Sequence, residues 1–443
     1  MNDRNLDLEK MQLNEIFSVQ EKKFKAQIGY LFDESDFYRS KYKTAGVDRV
    51  VVSDLVNLRE LPFTTKDEIR TSLDSGFLGK HLAVKDSNVV QVHASSGTTG
   101  KPSYVGLTQE DLKDWTDIIG RALIICGIRK DDLVVQAFGM SRGWVGGLPI
   151  VQGLLKIGAG VIPIGAEPGT RWLLTIIRDL KPVAIVGTPN FLIYLAEQSE
   201  EILGVPAKSL GVRLLVTGGE PGGGVPSIRS RAQELWGAKM YELMGGTDIC
   251  PVLWAECEDQ SGMHFVAPDL VYAELVGLEN QEHVPFEKGN IGELVYSHLQ
   301  REANPLMRFR HGDIVEVLDT KCKCGRTGPK IRCFGRTDDM FIVKGVNVYP
   351  TAIQDIVMNL RPSTTGVVRI VKESADYSIS GPLIIKVERG YDRLFESDSD
   401  LVVEIENLVS EICKCRVKVT VVSAGTYPAP GREKVSLVEK SYS

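Results

Sequence analysis

The run Ser95-Ser96-Gly97-Thr98-Thr99-Gly100-Lys101-Pro102 gathers hydroxyls, glycines and one lysine into eight residues. Glycine lets backbone N–H groups approach an anion closely, hydroxyls donate to its oxygens, and the lysine adds positive charge. The combination suits a phosphate group. It is not the P-loop of kinases and GTPases, G-x-x-x-x-G-K-S/T. The spacing here is Gly97-x-x-Gly100-Lys101, and Pro102 stands where a metal-binding hydroxyl residue would follow the lysine. Walker-type chemistry is therefore excluded. A plain polar hairpin turn rarely needs such a run. The preceding Val89-Val90-Gln91-Val92-His93 reads as a strand that delivers the chain into the loop.

Further stations follow in order. Gly218-Gly219-Glu220-Pro221 comes directly after the apolar run Leu214-Leu215-Val216, a backbone-exposing turn at the carboxyl edge of a strand. Met244-Gly245-Gly246-Thr247-Asp248 places a hydroxyl beside a carboxylate, and aspartate is a hard oxygen ligand suited to Mg²⁺. Phe309-Arg310-His311-Gly312-Asp313 ends in an acceptor-only carboxylate. His311 reads as a neutral packing or hydrogen-bonding residue. Cys257, His264, Cys322 and Cys324 supply three thiolates and one imidazole, a complete tetrahedral Zn²⁺ set. Cys250 and Cys333 are spare candidates, and Cys413-Lys414-Cys415 reads as alternation across a strand.

Taken together, these motifs resemble those of the adenylate-forming enzymes, in the phenylacetate–CoA ligase branch of the acyl/aryl-CoA synthetase superfamily. The loop His93-Ala94 through Pro102 continues into Val105-Gly106-Leu107-Thr108 as in that branch, and the likeness runs over nearly the whole chain. The resemblance implies ATP held by Ser95, Ser96, Gly97, Thr98, Thr99, Gly100 and Lys101, with Gly219, Glu220 and Pro221 against the adenine. It implies Thr247 on the α-phosphate, Asp248 on Mg²⁺, Asp313 on the ribose hydroxyls and Arg336 on ribose or phosphate. Met244 and Asp248 depart from the family's aromatic and glutamate, so the carboxylate reaches one methylene less far.

The same resemblance makes Asp338 the hinge of a mobile C-terminal domain and places Lys344 in the loop lining a thiol tunnel. Lys434 is the expected catalytic lysine, with Arg432 and Lys440 as rivals; two residues separate it from Gly431, where the family has a Gly-Lys pair. The acid pocket is expected from Phe138, Gly139, Arg142, Gly245 and Gly246, with Trp144 beside them. Phe138 and Trp144 favour an aromatic acid. Arg142 either meets a second anionic group or faces solvent or phosphate.

These residues need elements to carry them. The first 78 residues read as helical, with Thr65 and Glu68 forming a capping box. Residues 88–246 alternate short apolar runs with amphipathic segments, the pattern of a largely parallel sheet flanked by helices. Residues 265–317 read as a smaller antiparallel β subdomain. The rest is a small α+β domain. The expected division is residues 1–337 for ATP and acid binding and residues 338–443 for the mobile domain.

A chain of 443 residues exceeds one ordinary core. Its net charge of -6 argues against nucleic acid as a partner. The polar N-terminus lacks the apolar core of a secretion signal, and no apolar run is long enough to span a bilayer. The reading is therefore a cytoplasmic ligase that acts on a small carboxylic acid, ATP and CoA. Branch members are often dimers, so a homodimer is expected. Two alternatives keep the same residues: adenylation with transfer to an amine or carrier protein, and a nucleotide-binding homologue without activity.

Overall fold

The computed structural model describes residues 8–49, 52, 54–95, 103–141, 143–343, 346–374, 378, 379, 381–391, 395, 397–428 and 436–441. Helices α1 (Leu13–Glu34) and α2 (Asp36–Thr44) bury one stripe each, Phe24, Ile28 and Leu31 on the first and Tyr38 and Tyr42 on the second. These meet Leu55, Leu58, Leu61, Leu299 and Met307 in a small core. Helix α3 (Lys66–Leu73) starts at the capping box. Thr65 Oγ1 accepts from the Glu68 N–H at 3.3 Å, and Glu68 Oε2 accepts from the Thr65 N–H at 2.8 Å.

Strands β1 (Gln91–Ala94) and β2 (Tyr104–Leu107) pair antiparallel as a ribbon separate from the main sheet, and α4 (Gln109–Ile125) follows. Then strand and helix alternate: β3 (Leu133–Gln136), α5 (Leu148–Lys156), β4 (Gly160–Pro163), α6 (Thr170–Leu180), β5 (Ala184–Gly187), α7 (Pro189–Glu197), α8 (Ser199–Leu203), β6 (Leu214–Thr217), α9 (Pro226–Trp236) and β7 (Lys239–Gly246). Neighbours β4-β3-β5-β6-β7 are all parallel. The apolar runs of β3, β5 and β6 are largely buried, as the sequence pattern requires, whereas the edge strand β4 is only half-buried.

Strand β7 then changes partner. Its first half runs parallel to β6, and its second half pairs antiparallel with β8 (Cys250–Glu256). The chain continues through β9 (Met263–Phe265), β10 (Val271–Val276), β11 (His283–Val284), β12 (Ile291–His298), β13 (Phe309–Asp319) and β14 (Lys330–Arg336). Among the described residues twelve strands share one sheet, in the order β11-β10-β12-β13-β14-β9-β8-β7-β6-β5-β3-β4. The antiparallel part is thus hydrogen-bonded into the parallel part rather than set apart. It also starts earlier and ends later than residues 265–317.

The last elements are β15 (Phe341–Val343), β16 (Val346–Val348), α10 (Pro350–Asn359), β17 (Thr364–Lys372), β18 (Ser378–Ile379), β19 (Leu383–Arg389), α11 (Asp398–Cys413), β20 (Val417–Val422) and β21 (Val438–Lys440). Four of them form the sheet β20-β19-β17-β21 over a core that includes Ile353, Val368, Ile385, Leu401 and Ile405. Cys413-Lys414-Cys415 does not alternate along a strand. Cys413 ends α11, Lys414 caps it in the left-handed conformation at φ 54°, and Cys415 precedes β20. The helix needed a reversal there, and the two thiols fell on either side of it.

Candidate active site

The glycine-rich loop is clamped at its root. The Ser95 N–H donates to the Ser103 carbonyl at 2.8 Å, and the Ser103 N–H donates to Ser95 Oγ at 2.9 Å. The tip, Ser96, Gly97, Thr98, Thr99, Gly100 and Lys101, lies outside the described residues, as do Arg142, Lys344, Arg432 and Lys434. Lys440 lies on β21, in register with Lys372.

Residues 247–249 form the turn between β7 and β8, so Thr247 and Asp248 sit at a hairpin tip beside the loop root. Asp248 is 4% exposed. Ser103 Oγ lies 3.2 Å from its Oδ1, and Lys66 Nζ lies 3.3 Å from its Oδ2. Burial alone would raise this carboxyl, but Lys66, His311 and the hydrogen bonds from Lys66 and Ser103 outweigh it and hold it below the usual carboxylate range. An ionised oxygen donor is thereby kept in the cleft, which fits Mg²⁺ held by one carboxylate together with phosphate oxygens.

Two glycines let this hairpin approach its neighbours. A Cβ on Gly245 would lie 2.5 Å from the Pro251 carbonyl oxygen, and one on Gly246 would lie 2.0 Å from His311 Nε2. His311 is fixed by Asp313, whose Oδ2 lies 2.8 Å from its Nδ1. It bonds and packs as expected, edge-on to Tyr296. Arg336 ties the remaining stations together. It donates to Asp313 Oδ1 at 3.0 Å, to the His311 carbonyl at 3.0 Å and to Asp338 Oδ1 at 2.9 Å.

Lys66, Ser95, Gly219, Gly245, Gly246, Thr247, Asp248, Arg336 and Asp338 all face one cleft. Its inner wall is apolar: Phe138, Trp144, Val145, Ile150, Leu243 and Val252. Phe138 and Trp144 meet edge to face at 5.7 Å, and the indole passes close enough to Gly219 that a Cβ there would lie 3.3 Å from it. Glu167 braces the adjoining loop by accepting from the Met140 and Ser141 N–H groups at 2.6 and 2.8 Å, and a Cβ on Gly139 would lie 3.3 Å from its Oε1. Glu220 turns the other way and accepts from the Asn190 backbone at 3.1 Å and side chain at 2.9 Å. Pro221 follows it in the turn after β6.

Lys66 is the residue that sequence reasoning missed. In the sequence it only closes the Leu61–Lys66 turn, and in the fold it is the first residue of α3, where the macrodipole disfavours a cation. A lysine at that position signals a partner elsewhere, and here the partner is Asp248.

The cysteine–histidine set comes together away from this cleft. Cys257 and His264 sit on the β8–β9 hairpin, and Cys322 and Cys324 on the turn between β13 and β14, joined by the pairing of β9 with β14. Their ligand atoms all lie within 4.8 Å of one another. Cys257 Sγ lies 3.7 Å from Cys322 Sγ, and Cys324 Sγ lies 3.5 Å from His264 Nε2. A tetrahedron with Zn–S near 2.3 Å and Zn–N near 2.0 Å has edges of about 3.8 and 3.5 Å. The set fits zinc. Burial, with the neighbouring sulfurs, pushes the Cys257 thiol up to about 12, so a bound cation is what would keep it a thiolate. Cys250 and Cys333 are outside the cluster.

Residues 25–300 match the family model for AMP-binding enzymes. The phenylacetate-coenzyme A ligase of Thermus thermophilus is 34% identical over 80% of this chain and 77% of that protein. The enzyme of the same description from Pseudomonas putida is 32% identical over 75% and 73%. Among solved structures, 2-hydroxyisobutyryl-CoA ligase in its postadenylation state superposes with a TM-score of 0.88 at 27% identity, covering 98% of this chain and 91% of that one. The same enzyme in its thioesterification state with CoA gives 0.71 at 28% identity, again covering 98% and 91%. Among the described residues no helix is long and apolar enough to cross a membrane.

Proposed function

Because the chain belongs to the AMP-binding enzyme family, in its phenylacetate–CoA ligase branch, and is an AMP-forming carboxylate–CoA ligase, we propose that its acid is an aryl or arylacetic acid. The observation that carries this reading is the inner wall of the cleft. Phe138 and Trp144 offer an aromatic face and edge, and among the described residues the wall around them is apolar.

In the first half-reaction a carboxylate oxygen bonds to the α-phosphorus of ATP as the bond to the pyrophosphate oxygen breaks, giving acyl-adenylate and pyrophosphate. Ser95 to Lys101 hold the phosphates, Thr247 donates to the α-phosphate, and Lys66 and Lys434 neutralise the charge that builds there. Mg²⁺, when bound at Asp248, supplies further charge neutralisation on the phosphate oxygens. Asp313 accepts from the ribose hydroxyls, Arg336 holds it in place, and residues 219–221 lie against the adenine. In the second half-reaction residues 338–443 turn about Asp338, withdrawing Lys434 and bringing Lys344 to the thiol path. The CoA sulfur then bonds to the acyl carbon, and AMP leaves with the shared oxygen. Zinc held by Cys257, His264, Cys322 and Cys324 is structural, since its four ligands leave no open position.

A second reading has a specific source, because the solved relative acts on a branched hydroxy acid. Acid-dependent ATP–pyrophosphate exchange over arylacetates, benzoates, 2-hydroxyisobutyrate and linear fatty acids separates the two. An arylacetate or benzoate is expected to give the highest kcat/KM. Preference for 2-hydroxyisobutyrate would overturn the aryl assignment.

A further inference from the structure

Helix α9 begins without a side chain of its own to receive its first amide. Its N-cap is Val225, which has no acceptor, and Pro226 has no N–H, so Ser227 carries the first amide in need of a partner. That amide donates to Asp355 Oδ1 at 3.1 Å, and Asp355 belongs to α10. A helix capped from another element keeps its cap only while the two elements touch.

The same side of α10 makes two more contacts at three-residue spacing. Met358 is 7% exposed and packs into the apolar cluster built by α7, α9 and the strands beneath them. Arg361, just past the helix end, donates to Oε1 of Glu197 at 2.6 Å, at the end of α7. Arg231 of α9 reaches the same oxygen at 3.2 Å, so Glu197 is shared between the two arginines.

We propose that Asp355, Met358 and Arg361 form a latch that holds the C-terminal unit in the arrangement of the first half-reaction, with Asp355 as its positioning residue. The proposal rests on the two-step reading given above. The arrangement described here is more like the solved relative's postadenylation state than its thioesterification state. Rotation about Asp338 would carry α10 off α9 and uncap it. A carboxylate at a helix N-terminus is favoured both as an acceptor and by the helix dipole, so the latch favours the docked arrangement.

When the two arrangements interchange faster than either chemical step, the ratio of the two half-reaction rates is proportional to their equilibrium constant. That ratio reads the latch wherever the equilibrium lies. Acid-dependent pyrophosphate exchange is compared with thioester formation from supplied acyl-adenylate and CoA, using the full-length enzyme. Asp355→Ala is expected to lower the ratio about fivefold to tenfold, the size of one helix cap. Asp355→Asn, which keeps an acceptor, retains most of it, and Arg361→Ala lowers it in the same direction.

Hydrogen exchange at the Ser227 amide of the ligand-free enzyme is the independent readout. It speeds up in Asp355→Ala and not in Asp355→Asn. A folded Asp355→Ala enzyme with an unchanged ratio overturns the latch, whether or not the amide exchanges faster. Wild-type enzyme that makes acyl-adenylate but no thioester overturns the CoA step instead. The latch is then decided by pyrophosphate exchange alone: slower exchange alongside a faster Ser227 amide upholds it, and unchanged exchange overturns it.

Discussion

Lys66 and Asp248 face each other across 3.3 Å at the mouth of the cleft, one at a helix start and the other at a hairpin tip. A buried carboxylate this close to an ammonium stays ionised, and under the proposed function the ammonium neutralises the charge that develops on phosphate. Lys66→Ala is therefore expected to lower pyrophosphate exchange about tenfold to a hundredfold. The sign of its pH effect follows from the direction of the Asp248 shift. Lys66 heads the groups that lower that carboxyl against burial, so removing it raises the folded-state value and moves the acid limb of the pH–rate profile upward. An unmoved acid limb would contradict the pairing. That Gly245, Gly246, Thr247 and Asp248 come to one cleft follows from their lying in one contiguous run, Met244–Asp248. Lys66 was not legible, since its partner lies 182 positions along the chain and only the fold brings them together.

At the scale of elements, two buried arrangements carry predictions. The proposed zinc site joins the β8–β9 hairpin to the β13–β14 turn, so Cys324→Ser or chelation is expected to lower the thermal midpoint by about 5 °C or more. Metal analysis of the wild type should return one zinc per chain. Zinc-free protein with an unchanged midpoint would remove the site. The second arrangement lies under the turn after β6. Gly223 and Gly224 pack directly on the Glu242 side chain, which shares its surroundings with Glu256, and Arg229 pairs with the latter. Burial, then the Glu256 charge, pushes the Glu242 carboxyl well above the usual range. A raised carboxyl contributes most below the unfolded value and loses stability as pH rises through the folded one. Glu242→Gln should accordingly gain on wild type between pH 5 and 8, by about 1 °C or more in midpoint. A constant difference across that range would contradict the shift. Strands β3 to β6 were readable from their apolar runs. The merging of the two sheet halves was not, because strand pairing at β7 is a property of edges rather than of any one run.

The whole molecule places the root of the glycine-rich loop, an ionised carboxylate, an arginine-bound Asp313 and an apolar aromatic wall around one cleft, with Asp338 among its lining residues. Such a layout suits one acid handled twice, first by ATP and then by a thiol. The docking of α10 on α9 was not legible in the sequence, since Asp355 and Ser227 are an ordinary acid and serine until they meet. The most direct test is a product balance with a preferred acid, ATP and CoA. AMP, pyrophosphate and acyl-CoA are expected to appear in equal amounts, with acyl-adenylate alone when CoA is withheld. ADP and phosphate as products, or AMP and pyrophosphate release without a CoA thioester, would contradict the account.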